Sequence, residues 1–213
     1  MTLPSTGPAL SFKRACDEFE AAWREPRHTP FEMAPVDVNL VLADRYVTAR
    51  DVHVTRAMLW DFEVRKAEDP APYIPGVITG TKTWARRRLA DGSEHFFRSS
   101  DQLAWLGEGH GQVLEEVFID HQRRQSLFLG RAELPGPDGG PVQGSGFQPL
   151  FHVEHGARGA EDYPLSPLRV VFLTPAPDRR LTAGLETGAA AGLLPGSLEI
   201  LVERDLGIGL RRR

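Results

Sequence analysis

Three short stretches of the chain hold side chains that could do chemistry. Glu115-Glu116 is a carboxylate pair, and a buried carboxyl with a raised pKa can serve as a general acid. Set beside a tyrosine or histidine, it could enolise or protonate a polyketone. On a strand, neighbours face apart, so at most one of the pair is inside. The competing reading is one exposed glutamate and one paired to Arg87, Arg98 or Arg124. The run His152-Val153-Glu154-His155 invites a metal. Two histidines three apart share a face only on a helix, and a strand sends them to opposite faces. No third ligand is evident, so neither a metal site nor a cofactor is expected. Arg86-Arg87-Arg88 alternate, and an inward Arg87 could clamp a carboxylate; the solvated end of a hairpin explains the run more simply.

Other reactive types fare worse. Cys16 sits on an apolar helical stripe, where a thiol is inert. Ser145 lies in a Gly/Pro loop with no acid–histidine partners in a usable order. The glycines between Gly107 and Gly111 lack the strand, helix and lysine of a phosphate loop. Trp60 and Trp105 read as packing residues. If strands enclose a cavity, alternate positions would line it, mostly apolar with a few polar groups to orient a ligand. The candidates for that lining are Tyr73, Trp84, His95, Phe97, Glu116, Phe118, Phe128, Phe151 and His152. Over 147–155 the odd positions look inward, which would put His152 outside. Over 113–120 both phases carry apolar residues and one glutamate each.

The elements that must position these residues are organised around Val52–Gly76. Thr55 is a good N-cap. It opens a short helix with Leu59 and Phe62 on one face, Trp60, Val64 and Ala67 beside them, and Arg65, Lys66 and Glu68 on the wet face. Pro70, Pro72 and Pro75 stiffen its exit. Upstream, Ser11 can cap a helix from Phe12 to about Arg24. Its stripe of Phe12, Ala15, Cys16, Phe19 and Trp23 would cover the domain's own sheet or meet a second subunit. Residues 36–54 alternate and suggest one bent strand or two short ones. Strands follow over 76–89, 93–98, 113–120, 125–134, 147–155 and 168–174, with a flexible Gly/Pro loop at 135–146. A weak helix over 181–194 precedes Pro195-Gly196, and Ser197 can cap a second piece carrying Leu198, Leu201, Val202 and Leu206. Arg211–Arg213 would complement the dipole at its end. Consecutive hairpins imply an antiparallel sheet, and the terminal helix is its natural cover.

The segment 54–78, VTRAMLWDFEVRKAEDPAPYIPGVI, resembles the AtaL-like branch of the START-like (SRPBCC, helix-grip) superfamily. The resemblance is carried by Leu59-Trp60, Lys66-Ala67 and Pro75, and extends over about residues 45–175. It implies an α+β fold: a curved antiparallel sheet of about six to seven strands gripping a C-terminal helix, here with an extra N-terminal helix. Residues 1–35 would be tail and accessory helix, and 36–213 the gripping domain. It also implies a hydrophobic pocket between sheet and helix, but no single reaction, since such folds host both binders and catalysts. The glycines and proline of the last thirty residues depart from the long unbroken helix expected there.

Composition narrows the rest. A formal net charge of -4 over 213 residues offers no large positive field for nucleic acid. One cysteine excludes an internal disulfide and thiolate metal clusters. No apolar run approaches a membrane span, and the first residues lack a basic start followed by an apolar stretch. The expectation is a cytoplasmic protein that binds a small hydrophobic or aromatic molecule, without nucleic acid or membrane partners. A homodimer through the N-terminal helix stays open. A polyketide cyclase or aromatase using a buried acid is the first alternative. A non-catalytic interaction protein with a filled cavity and an exposed Phe12–Trp23 stripe is the second.

Overall fold

Residues 9–107 and 109–213 are described by the computed structural model. Along the chain come α1 (Phe12–Arg24), β1 (Thr29–Asp37), α2 (Val38–Arg45), a short β2 (Tyr46–Thr48) and α3 (Arg56–Glu68). Four long strands follow: β3 (Ile78–Arg88), β4 (Glu94–Leu103), β5 (His110–Asp120) and β6 (Gln125–Arg131). A small hairpin, β7 (Glu133–Pro135) and β8 (Pro141–Gln143), leads to β9 (Phe151–Gly156), β10 (Arg158–Ala160) and β11 (Tyr163–Phe172). The chain then runs through α4 (Arg180–Ala190), α5 (Gly196–Ile200), a π-helical turn (Leu201–Asp205) and β12 (Leu210–Arg212). The main sheet has the order β1-β11-β9-β6-β5-β4-β3, with β10 attached to β11, and its pairings are antiparallel. This is the α+β architecture expected from the hairpin pattern.

The two sheet faces carry different covers. On one, Phe12, Ala15 and Phe19 of α1 pack on Phe118, Leu127, Leu129 and Val171. The stripe of α1 is therefore spent on its own sheet. Ser11 caps the helix by accepting from the Arg14 N–H at 3.2 Å, and the Phe12 N–H is bound by Asp91 across the fold at 2.8 Å. Arg169 lies 4.1 Å over the Trp23 ring and donates to Glu20 and Glu154. On the other face, α3 and the α5 segment build the larger core, in which Leu59, Phe62, Leu198, Leu201 and Val202 meet Phe96, Val117, Ile119 and Phe128. Thr55 caps α3 as expected, accepting from the Met58 N–H at 3.1 Å.

Four expectations need correction. Over 36–54 only the end of β1 and the short β2 are strand, and a helix stands between them. Asp37 accepts from the Leu40 N–H at 3.0 Å and caps α2, whose Val38 and Leu42 are buried four residues apart. Helical spacing inside VDVNLVL outweighed its β-branched composition. The strand lies earlier, and it includes Pro30 and Pro35. β1 is an edge of the sheet, where a missing N–H is tolerated, and its register shifts between Met33 and Val36. The loop at 135–146 contains the β7–β8 hairpin. Finally, Arg211 and Arg212 do not end a helix: they pair as a strand with Tyr46 and Val47, and Arg212 grips Glu199 with two bonds of 2.9 Å. The covering helix is indeed broken between α4 and α5. Ser197 gives no cap, because the second piece starts at Gly196.

Candidate functional site

Register decides which side chains face which cover. Arg98 stands opposite Glu115, Val117 opposite Phe128, and Phe128 opposite Val153. Even positions of β4 and β6 and odd positions of β5 and β9 therefore share one face, the one turned to α3 and α5. Between that face and the helices is a cavity of about 560 Å³. Its walls are apolar: Phe128, Phe151, Val153, Leu168 and Val170 from the sheet, Tyr73, Ile74 and Ile78 after α3, and Leu185 of α4. Pro75, Val77, Gly196 and Glu203 are exposed and form its rim.

The floor is charged. Glu63 and Lys66, one turn apart on α3, are 2 % and 6 % exposed and pair inside the cavity wall. Lys66 Nζ donates to Glu63 Oε1 at 3.0 Å; Oε2 is 2.8 Å from the same nitrogen but outside hydrogen-bond geometry. The expectation that Lys66 sits on the wet face is thus corrected. Across from them Arg98 donates through Nε and Nη2 to Glu115 Oε2, at 2.9 and 2.6 Å. Its Nη1 donates at 2.7 Å to the carbonyl of Ala67, one of the carbonyls left open at the end of α3. Arg98 therefore ties helix to sheet, and its guanidinium lies 4.6 Å from the centre of the Phe128 ring. Of the glutamate pair, it is Glu115 that faces in, bound to one of the arginines named as its possible partners.

His155 completes the floor. Its Nδ1 is 3.7 Å from Glu63 Oε2, its ring meets Phe128 edge-on, and a fifth of its side chain stays accessible while it lines the cavity. Burial, reinforced by Lys66 and Arg98, holds its pKa well below the ordinary histidine value, so the ring is neutral. Burial pushes Glu63 the other way, upward, against the pull of Lys66. Among the described residues no hydrogen bond reaches the His155 ring. Opposite it on β6, the buried Ser126 hydroxyl also has no partner.

The nine candidate residues divide between the faces. Tyr73, Phe128 and Phe151 line the cavity. Tyr73 keeps its hydroxyl in a bridge with Arg65 and Asp205, at 2.9 and 3.2 Å. Phe118 and His152 lie on the α1 side instead: Phe118 packs under α1, and His152 is buried there with Glu18 3.9 Å away. His95 and Glu116 share that side, His95 Nε2 being 3.0 Å from Glu116 Oε1 while Arg131 bridges Glu116 to Glu18. Trp84 and Phe97 are register partners next to His95, and the Trp84 indole N–H donates to the Pro135 carbonyl at 2.8 Å. All six are strand positions that face away from the cavity; for His152 this is the facing that the odd-inward phase of 147–155 implied, and the other five were placed on the wrong face. Sequence reasoning missed Glu63, Lys66, Arg98, Glu115 and His155 as cavity residues. One signal was present: Glu63 and Lys66 are three apart, flanking the apolar face of α3. Among the described residues no group of three or more His, Cys, Asp or Glu side chains has metal-holding geometry, and no helix is long and apolar enough to cross a membrane.

No family model matches the sequence, and neither does any curated protein. Solved structures do. The Zhui aromatase/cyclase from Streptomyces sp. R1128 superposes with a TM-score of 0.52 at 11% identity, over 83% of this chain and 95% of that one. Ara h 8.0201 gives 0.48 at 15% identity, over 82% and 99%. TTHA0849 from Thermus thermophilus gives 0.47 at 13% identity, over 84% and 97%. At these identities the likeness is one of fold.

Proposed function

For a chain with the helix-grip fold of START-like proteins, we propose that the function is to bind a small hydrophobic or aromatic molecule between sheet and helices. The observation that carries this reading is the cavity itself: about 560 Å³, apolar on its walls, charged at one end and bordered by exposed residues. That volume and lining suit a molecule of a few rings whose polar end meets the floor. Tyr73, Phe128 and Phe151 would contact the ring system, and Lys66 and His155 the polar end. The single cysteine supports a reducing, cytoplasmic setting. Two observations weigh against an interaction protein with a filled interior: the cavity is open, and the Phe12–Trp23 stripe is occupied by the sheet.

Native mass spectrometry of the purified protein tests the reading. A co-purified molecule of one defined mass is expected, lost in Val170→Trp, which puts an indole into the cavity from a buried wall position. A folded wild-type protein that carries no molecule, and that takes up none of a panel of aromatic ketones, phenols and acids, would end it.

A second reading, a cyclase or aromatase that shapes a keto chain, draws on a specific feature: ionisable groups at the floor that are not fully partnered, Glu63 and His155. The aromatase/cyclase that shares the fold adds no residue-level support, because identity is 11%.

A further inference from the structure

Within the cavity reading above, on which this step rests, the floor separates into two arrangements. Arg98 is engaged through all three nitrogens, Nε and Nη2 with Glu115 Oε2 and Nη1 with the end of α3. Glu63, Lys66 and His155 are not held in this way. Glu63 accepts from Lys66 through Oε1; its Oε2, 2.8 Å from the same ammonium but without a hydrogen bond, lies 3.7 Å from His155 Nδ1. An Nδ1–H directed at that oxygen leaves the lone pair on Nε2, and His155 lines the cavity with a fifth of its side chain accessible. We infer that His155 is a catalytic base and Glu63 its positioning residue, acting on a ketone with hydrogens on the carbon next to its carbonyl.

The ring is in the form a base requires, because burial and the two nearby cations keep it neutral. In the step, the bond between that carbon and its hydrogen breaks and the proton goes to Nε2. The electron pair moves into the carbonyl, and the enolate oxygen is met by the Lys66 ammonium, which lines the same cavity. Glu63 offers an acceptor oxygen to the imidazolium whether or not the carboxyl is ionised. Return of a proton to carbon gives back the ketone, and return to oxygen gives the enol. Neither outcome needs an oxidant or a second reactant. This assignment differs from catalysis by a buried acid, in which Glu63 itself would move the proton.

The probe is 2-tetralone, an aromatic ketone whose exchange in heavy water can be followed by NMR. Binding is read separately by saturation transfer from the protein. Wild-type protein is expected to bind the probe and to speed deuterium entry next to the carbonyl about a hundredfold over buffer with equimolar imidazole. His155→Phe should bind and lose the acceleration. Glu63→Gln should bind, keep about a tenth of it or less, and move the acid limb of its pH profile, a change that simple loosening of the floor would not produce; Glu63→Asp should recover part of the rate. His152→Asn, on the far face, should exchange like wild type. Binding without acceleration overturns the catalytic assignment and leaves the cavity reading standing. Acceleration that survives in His155→Phe and vanishes in Glu63→Gln makes Glu63 the base and overturns the roles assigned to the two residues. Absence of binding by the probe and by the ligand panel removes the cavity reading and this step with it.

Discussion

His152 offers the sharpest check on which face of the sheet is which. It is 2 % exposed beneath α1, and its Nδ1 accepts the Gly130 N–H at 3.1 Å. Burial lowers its pKa from 6.5 to about 4, with Arg131 helping and Glu18 opposing. Between those two values the unfolded chain takes up a proton that the folded chain refuses, so stability falls as pH falls through that window. A drop from 6.5 to about 4 corresponds to roughly 3 kcal/mol, of which about 2.5 kcal/mol is already lost at about pH 4.5. His152→Asn removes the titration while placing an amide oxygen near where Nδ1 accepted its bond. Urea unfolding of both proteins from about pH 8 to about pH 4.5 measures the effect. At the alkaline end the variant should be level with wild type or lower by about 1 kcal/mol, the cost of an imperfect buried hydrogen bond. Towards acid the gap should close and reverse, the variant gaining about 2.5 kcal/mol relative to wild type. A difference that stays flat to within about 0.5 kcal/mol across the range would mean that His152 is hydrated, and the assignment of faces would be wrong.

Glu115→Leu should cost about 3–5 kcal/mol by stranding Arg98 in the wall, and adding Arg98→Met should recover most of it; urea unfolding of the single and double variants reads both. Phe19→Ala should cost about 3–5 kcal/mol and expose the Phe118–Leu129 surface to hydrogen exchange, while probe binding on the opposite face persists in the folded fraction. Thr55→Ala should cost about 1 kcal/mol in the same urea titration, because the cap on the Met58 N–H is lost, together with the hydroxyl's bond to Glu161.

Much of the local structure was legible from side-chain chemistry alone. The caps at Ser11 and Thr55, the stripe of α1, the order of hairpins and the Pro/Gly break before α5 each follow from interactions within a few residues. The same holds for the exclusion of disulfides, since one cysteine cannot pair within its own chain. The helix at 38–45 was lost because alternation and helical spacing coincide over so short a run, and the Asp37 cap, one bond, tips the balance. Strand phase was decided elsewhere. In 113–120 both faces are buried, one under α1 and the other under α3 and α5, so the polar–apolar alternation that reports facing in a half-exposed strand is erased. On 147–155 the odd positions were read as inward, and Phe151, Val153 and His155 do line the cavity. On 113–120 a one-residue change of phase exchanges Glu115 for Glu116, and only the packing of helices on both faces selects between the two, and with them which glutamate meets Arg98 at the cavity floor.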